Sequence, residues 1–288
     1  MPHPSSTFEL AGIRFIFDGL APGDLNAHFR RFSVDASTGS ADLRCTVICR
    51  GVNPDLVQLR SSVAWSFQEQ DGVACLTGAN PAGEVMWRLT GRTPFEQLQF
   101  EWHPTAFDAM YRNAVYGSFN IVAILALVLR LLPLGGVVLH ASAQVIDGAG
   151  ILCTGPSGQG KSTISRLFHQ CGRTVLSDEH PILRPDGAGF RVYGSPWPSS
   201  GGFAENASAP LKKIYFIEHG PAQEIQPLTR REAVLRLLDV AMVPWMNPAF
   251  FDPLIQTLET ALREVPVALL RFRPDTSAVE TVCRDLGK

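Results

Sequence analysis

The 288-residue chain has no C-x-x-C pair, and its six cysteines (45, 49, 75, 153, 171, 283) fall at no metal-ligand spacing. The sequence thus offers no pattern for a cysteine-built metal centre, and the simplest expected state of these thiols is reduced, as in a cytoplasmic protein. A strong net charge is also lacking. Twenty-five Lys and Arg stand against 27 Asp and Glu, for a net charge of −2, which provides no electrostatic reason to expect nucleic acid as a partner. No basic segment leading into an apolar one opens the chain, so no signal peptide is expected. The most hydrophobic stretch, Phe119 to Leu132, holds nine uninterrupted residues between Asn120 and Arg130. A membrane helix needs about 20, so a buried helix ending near Pro133 is expected and no membrane association. There is no internal repeat, no low-complexity tract, and no guanine-reading Asn-Lys-x-Asp.

What is present is a glycine-rich segment. Gly155, Pro156, Ser157, Gly158, Gln159, Gly160, Lys161 and Ser162 fit G-x-x-x-x-G-K-[ST], followed by Thr163. Glycines let the backbone adopt conformations closed to other residues and approach an anion. Successive N–H groups then form an anion-binding concavity at the positive end of the next helix. Lys161 would bring a point charge to the β- and γ-phosphates, and Ser162 a hydroxyl to Mg²⁺. The context agrees: an apolar run, Gly150 to Cys153, precedes the loop, while Ile164, Leu167 and Phe168 after it mark one helix face.

The expected organisation is α/β, with a β-rich N-terminal domain over 1–105, a helical connector over 106–135 and a phosphate-binding domain over 136–288. Leu43, Cys45, Val47 and Cys49 alternate with Asp42, Arg44, Thr46 and Arg50, a half-buried strand whose cysteines pack rather than bridge. Phe8 to Phe17, Asp71 to Thr77 and Val85 to Thr90 read as further strands. Val137 to Ile146 reads as a strand, Asp147-Gly148 as a hairpin turn, and Ile151 to Thr154 as the return. That hairpin can bring His140 level with the glycine loop, although a histidine on an apolar strand can equally be a core residue. Lys212 to Glu218 and Val265 to Phe272 read as strands, with helices near 253–264 and 276–286. Thr229 and Glu232 form a capping box, and Arg230 and Arg231 fit a solvated helix start.

Arg173 to Glu179 is a short apolar run ending in two acids, Asp178 and Glu179. In nucleotide kinases a second strand delivers an acid to Mg²⁺ or its waters. Adjacent side chains on an extended segment point opposite ways, so one acid can face metal and the other an incoming hydroxyl. The alternative is a pair of acids capping a turn before Pro181. Tyr193 to Gly202 is a Pro/Gly/Ser-rich loop, either a substrate-side lid or an ordinary surface loop.

Taken in order, Leu139-His140, the loop Gly155 to Ser162 and Leu176-Ser177-Asp178-Glu179 resemble the C-terminal domain of HPr kinase/phosphorylase, closely over roughly 136–220 and loosely beyond. Tyr193-Gly194-Ser195-Pro196-Trp197 is more similar to HPr-kinase-related proteins found beside peptide-modification genes, including the lasso-peptide precursor kinases. The resemblance implies a compact P-loop kinase domain of the HPr kinase / phosphoenolpyruvate carboxykinase type. It also implies ATP and Mg²⁺ as cofactors, phosphorylation of a serine hydroxyl on a peptide or small protein, and a homo-oligomer. By position, Asp178 would be the base, Glu179 and Ser162 the metal side, Lys161 the phosphate ligand, and His140 an orienting group. Two departures stand out: Glu179 replaces the family's aspartate, and no Glu-Arg-Gly-x-Gly stretch, tied there to dephosphorylation, follows the acids. The expected function is therefore an ATP-dependent serine-type peptide kinase. A small-molecule kinase and a non-catalytic nucleotide-binding switch are the alternatives.

Overall fold

Three two-residue turns, Ala11-Gly12, Asp71-Gly72 and Asp147-Gly148, have positive φ at both positions, from 48° to 78°. That conformation matches strand twist and closes tight hairpins. Each joins a pair of antiparallel strands in the computed structural model, which describes all residues except 1–3, 21–24, 26, 36–39, 50–64, 80–84, 103–117, 188 and 246. The molecule is mixed α/β with two sheets. The chain divides into two compact units, Met1–Pro133 with Pro244–Pro248, and Leu134–Val243 with Ala249–Lys288.

The first unit holds a seven-stranded sheet in the order β1-β2-β3-β7-β6-β5-β4. Its strands are β1 (Ser5–Leu10), β2 (Ile13–Asp18), β3 (Leu43–Cys49), β4 (Trp65–Gln70), β5 (Val73–Ala79), β6 (Val85–Arg92) and β7 (Gln97–Trp102). The segment from Phe8 to Phe17, expected as one strand, is instead a hairpin folded at Ala11-Gly12. In β3 the expected alternation is present: Leu43, Cys45 and Val47 are buried, and Cys45 is a free thiol. Phe8 stacks on Phe15 and Phe17 at 5.7 and 5.2 Å and meets Phe29 of the short helix α1 (Ala27–Arg30) edge-on.

Part of the expected long helical stretch, 103–117, lies outside the described residues. The rest forms α2 (Ser118–Leu131), buried at every position from Ala123 to Leu129. Its Arg130 donates to the carbonyls of Asp42 and Pro94. Among the described residues no helix is long and apolar enough to cross a membrane.

The second unit is built on ten strands: β8 (Val137–Leu139), β9 (Ala141–Ile146), β10 (Ala149–Thr154), β11 (Thr174–Ser177), β12 (Ile182–Asp186), β13 (Gly189–Tyr193), β14 (Ser208–His219), β15 (Glu224–Pro227), β16 (Ala241–Met242) and β17 (Val267–Phe272). The order β11-β9-β10-β14 continues through β13, β12 and β8 to β16, while β17 pairs with β14 and β15. β10 runs parallel to β14 and antiparallel to β9.

Its helices are α3 (Lys161–Gln170), α4 (Arg230–Leu238), α5 (Phe251–Glu264) and α6 (Ser277–Asp285). The expected apolar face of α3 (Ile164, Leu167, Phe168) packs with Ala278, Val279 and Val282 of α6. Both faces lie against Ile151, Tyr215, Leu270 and Phe272 of the sheet. The Thr229–Glu232 capping box is formed at the start of α4, where Arg230 and Arg231 are exposed.

A second strand expectation needs correction. The run Val137 to Ile146 breaks at His140, because β8 bonds to β12 and β16 while β9 bonds to β10 and β11.

Candidate functional site

β10 is buried along its length and ends at Thr154; α3 begins at Lys161, after six intervening residues. Residues 155–160 make the turn. Gly158 and Gly160 have φ of 85° and 97°, a region L side chains rarely adopt. A Cβ on Gly160 would also stand 2.8 Å from the Phe272 ring and 3.2 Å from His219. His219 in turn hydrogen-bonds the Gly158 carbonyl at 3.1 Å, so the loop rests on a residue that no sequence motif marked. Pro156, Ser157 and Gly158 are exposed, Gln159 and Thr163 half-buried, and Gln159 N–H donates to Pro156 O. The start of α3 has no side-chain cap, which leaves its first N–H groups to other partners.

Lys161, only 7 % exposed, arches back so that Nζ donates to Gly155 O at 2.7 Å and Pro156 O at 3.2 Å. Burial lowers its pKa, against the opposing charge of Glu179. Ser162 Oγ lies 3.2 Å from Ser199 Oγ.

Asp178 and Glu179 follow the end of β11. Ser177 Oγ accepts the N–H groups of Glu179 and His180, which sets the turn and sends the two acids to different partners. Asp178 is fully buried. Its Oδ2 accepts from Ser199 Oγ at 2.7 Å and Gly201 N at 2.9 Å, and its Oδ1 from Ser199 N at 2.9 Å. A side chain at Gly201 would collide with that carboxylate. The segment expected as a surface loop or lid is therefore packed: Gly194 to Trp197 are buried, and Ser199 to Gly201 clasp Asp178.

Glu179 faces the break between β8 and β9. His140 Nδ1 is 3.0 Å from Glu179 Oε1. Three backbone bonds hold the histidine there. Its N–H donates to Val240 O at 2.7 Å, its carbonyl accepts from Thr154 Oγ1 at 3.1 Å, and the next N–H, of Ala141, reaches Glu179 O at 3.0 Å. Thr154 pairs with Ala141 across the hairpin, which puts His140 level with the entry to the glycine loop, as the arm lengths suggested.

Burial pushes the Glu179 carboxyl up. The hydrogen bond and charge of His140, with His180 and Lys161, outweigh it and hold the group below the usual carboxylate value. His180, unmarked by any sequence signal, is pushed down to about 4, by burial first. The expected site residues thus share one end of the β11-β9-β10 strands. Ser199, His180 and His219 join them through tertiary contacts that spacing could not reveal.

The family model described as SynChlorMet cassette protein ScmC matches residues 116–265, and the chain belongs to that family. No curated protein matches. Among solved structures, the Hpr(Ser) kinase/phosphatase from Coxiella burnetii is similar at 15% identity and a TM-score of 0.30, over 52% of this chain and 95% of that one.

Proposed function

We propose that this member of the ScmC family is an ATP-dependent kinase that phosphorylates a serine-type hydroxyl of a peptide or small protein, with residues 136–288 as its P-loop catalytic part. The observation that carries the reading is the convergence, at one end of a sheet, of a glycine-lined turn, Lys161, Ser162 and two acids with separate partners. The residues fit a triphosphate. The turn requires glycine at Gly160, the helix start is uncapped, and the lysine ammonium already reaches over the loop.

On this reading the backbone N–H groups of Gly155 and of 157–163, with Lys161, would hold the phosphates, and Ser162 with Glu179 would hold Mg²⁺. The ion would offset the phosphate charge. His140 keeps Glu179 oriented through the 3.0 Å contact. Asp178 would accept the hydroxyl proton after the acceptor hydroxyl displaces Ser199 Oγ from its carboxylate, as the acceptor oxygen bonds to the γ-phosphorus and ADP leaves with the electron pair of the broken bond. That a serine hydroxyl suits this carboxylate is supported by Ser199, whose Oγ donates to it at 2.7 Å. Catalysis would be mostly positioning and charge stabilisation.

The test is incubation with labelled ATP, Mg²⁺ and serine peptides, read by mass spectrometry. Lys161→Ala should weaken nucleotide binding and cut transfer by about 10²-fold or more. Asp178→Asn should keep nucleotide binding and lower transfer by about 10²- to 10⁴-fold. Transfer at the parent rate in Asp178→Asn would remove the role given to it. The burial of Gly194 to Trp197 beside Asp178 favours one second reading, a small hydroxylated metabolite as acceptor. The same assay with such compounds separates the two.

A further inference from the structure

Glu179 and His180 are chain neighbours after β11 and His140 comes from the β8–β9 break, and ligand-capable atoms of all three lie within 4.8 Å of one another. Two imidazoles and one carboxylate are a donor set suited to first-row transition dications and poorly suited to Mg²⁺, which takes oxygen ligands. We propose that His140, Glu179 and His180 form a binding site for a transition-metal dication of the Mn²⁺, Co²⁺ or Zn²⁺ class.

Three observations carry this. First, the backbone presents the donors before any ion arrives. His140 is pinned at the β8–β9 break by bonds to Val240 and Thr154, and Ser177 Oγ fixes the turn that carries both Glu179 and His180. Second, His180 Nδ1 is buried and makes no hydrogen bond, an unmet donor-acceptor atom of the kind that a native site explains by an ion. The same ring is engaged by the Trp197 backbone, the outer-partner arrangement that orients metal-binding histidines. Third, the distances are close to those of a centre. Tetrahedral bonds of about 2.1 Å space ligand atoms about 3.4 Å apart. His140 Nδ1 and Glu179 Oε1 are already 3.0 Å apart, and no pair of the three donors is more than 4.8 Å apart.

This proposal rests on the kinase reading only in that Glu179 is assigned to both ions; Ser162, an oxygen donor, is given to nucleotide-borne Mg²⁺ and the two imidazoles to the transition-metal ion. Because Glu179 and Lys161 feel each other's charge, an ion held here adds positive charge beside the phosphate-binding lysine.

The experiment uses the full chain without a histidine tag, stripped with chelator and titrated with Co²⁺ in the absence of nucleotide. Expected are visible d–d bands of a four- or five-coordinate ion saturating at one equivalent, displaced by Zn²⁺ and not by excess Mg²⁺. His180→Ala and Glu179→Gln should each weaken the binding at least about 10-fold, the scale on which even outer partners of such centres act. Circular dichroism checks that the variants fold, and if His180→Ala does not, Glu179→Gln decides. No bands in the parent protein, or bands of parent affinity in a folded variant, would overturn the site. Lys161→Ala separates this from the kinase reading, since it should lose nucleotide and keep cobalt.

Discussion

Asp178 and Glu179 are neighbours in sequence with opposite surroundings. The first is sealed under three donors from Ser199 and Gly201; the second is half-buried between two imidazoles and the field of a lysine. Environment divides two carboxylates into two roles here, as burial and partners do in acid–base pairs generally. His180 makes this corner sensitive to pH. In an unfolded chain its imidazole takes a proton near 6.5, and in the fold only at about 4. Between those values the unfolded chain binds the extra proton, so stability is full above the upper value and falls as pH is lowered across the window. Urea midpoints at pH 7 and pH 5 should therefore converge in His180→Gln, where the titrating ring is gone. An undiminished drop in the variant would assign the acid sensitivity to other groups.

Gly160 and Gly158 allow the phosphate-loop element to be tested by comparison. Both have positive φ, so an alanine at either position carries a backbone cost of about 1–2 kcal/mol. Only at Gly160 does the new Cβ press on Phe272 and His219, because nothing stands within 4 Å of Gly158. Gly160→Ala should lower the denaturation midpoint more than Gly158→Ala and weaken nucleotide binding further. Equal effects would mean that the Phe272–His219 support under the turn is immaterial. That support marks the border of what was legible. Strand, turn and helix around 149–170 could be read from an apolar run, three glycines and an i, i+3, i+4 face. The break at His140 could not, since Val137 to Ile146 carries no glycine, proline or turn signal and the two halves differ in which strands they bond. The hairpin at Ala11-Gly12 is hard to read because one glycine is a weak turn signal among Phe8, Leu10, Ile13, Phe15, Ile16 and Phe17. Ser199 and His180 carry no pattern at all: their contacts with Asp178 and with the His140–Glu179 pair exist only once β11 and the 193–202 segment have been folded together.

At the scale of the molecule, two sheets imply two hydrophobic cores. One centres on Phe8, Phe15, Phe17 and Phe29, the other on Phe168, Tyr215, Leu270 and Phe272. Each unit buries its own large aromatic side chains, so each has its own source of cooperativity. All the residues proposed to hold ATP belong to the second unit. A ligand that binds the native form of one unit stabilises that unit by RT ln(1 + [L]/Kd), about 2.7 kcal/mol at a hundred times Kd. For a domain of this size that should raise its unfolding temperature by about 5 to 10 °C. Calorimetry of the full chain with a non-hydrolysable ATP analogue and Mg²⁺ should accordingly move one of two transitions and leave the other in place. In Lys161→Ala neither should move. A shift of the transition that belongs to the Phe8 core alone would place the nucleotide in the wrong unit, and a single transition moving as a whole would show that the two cores unfold as one.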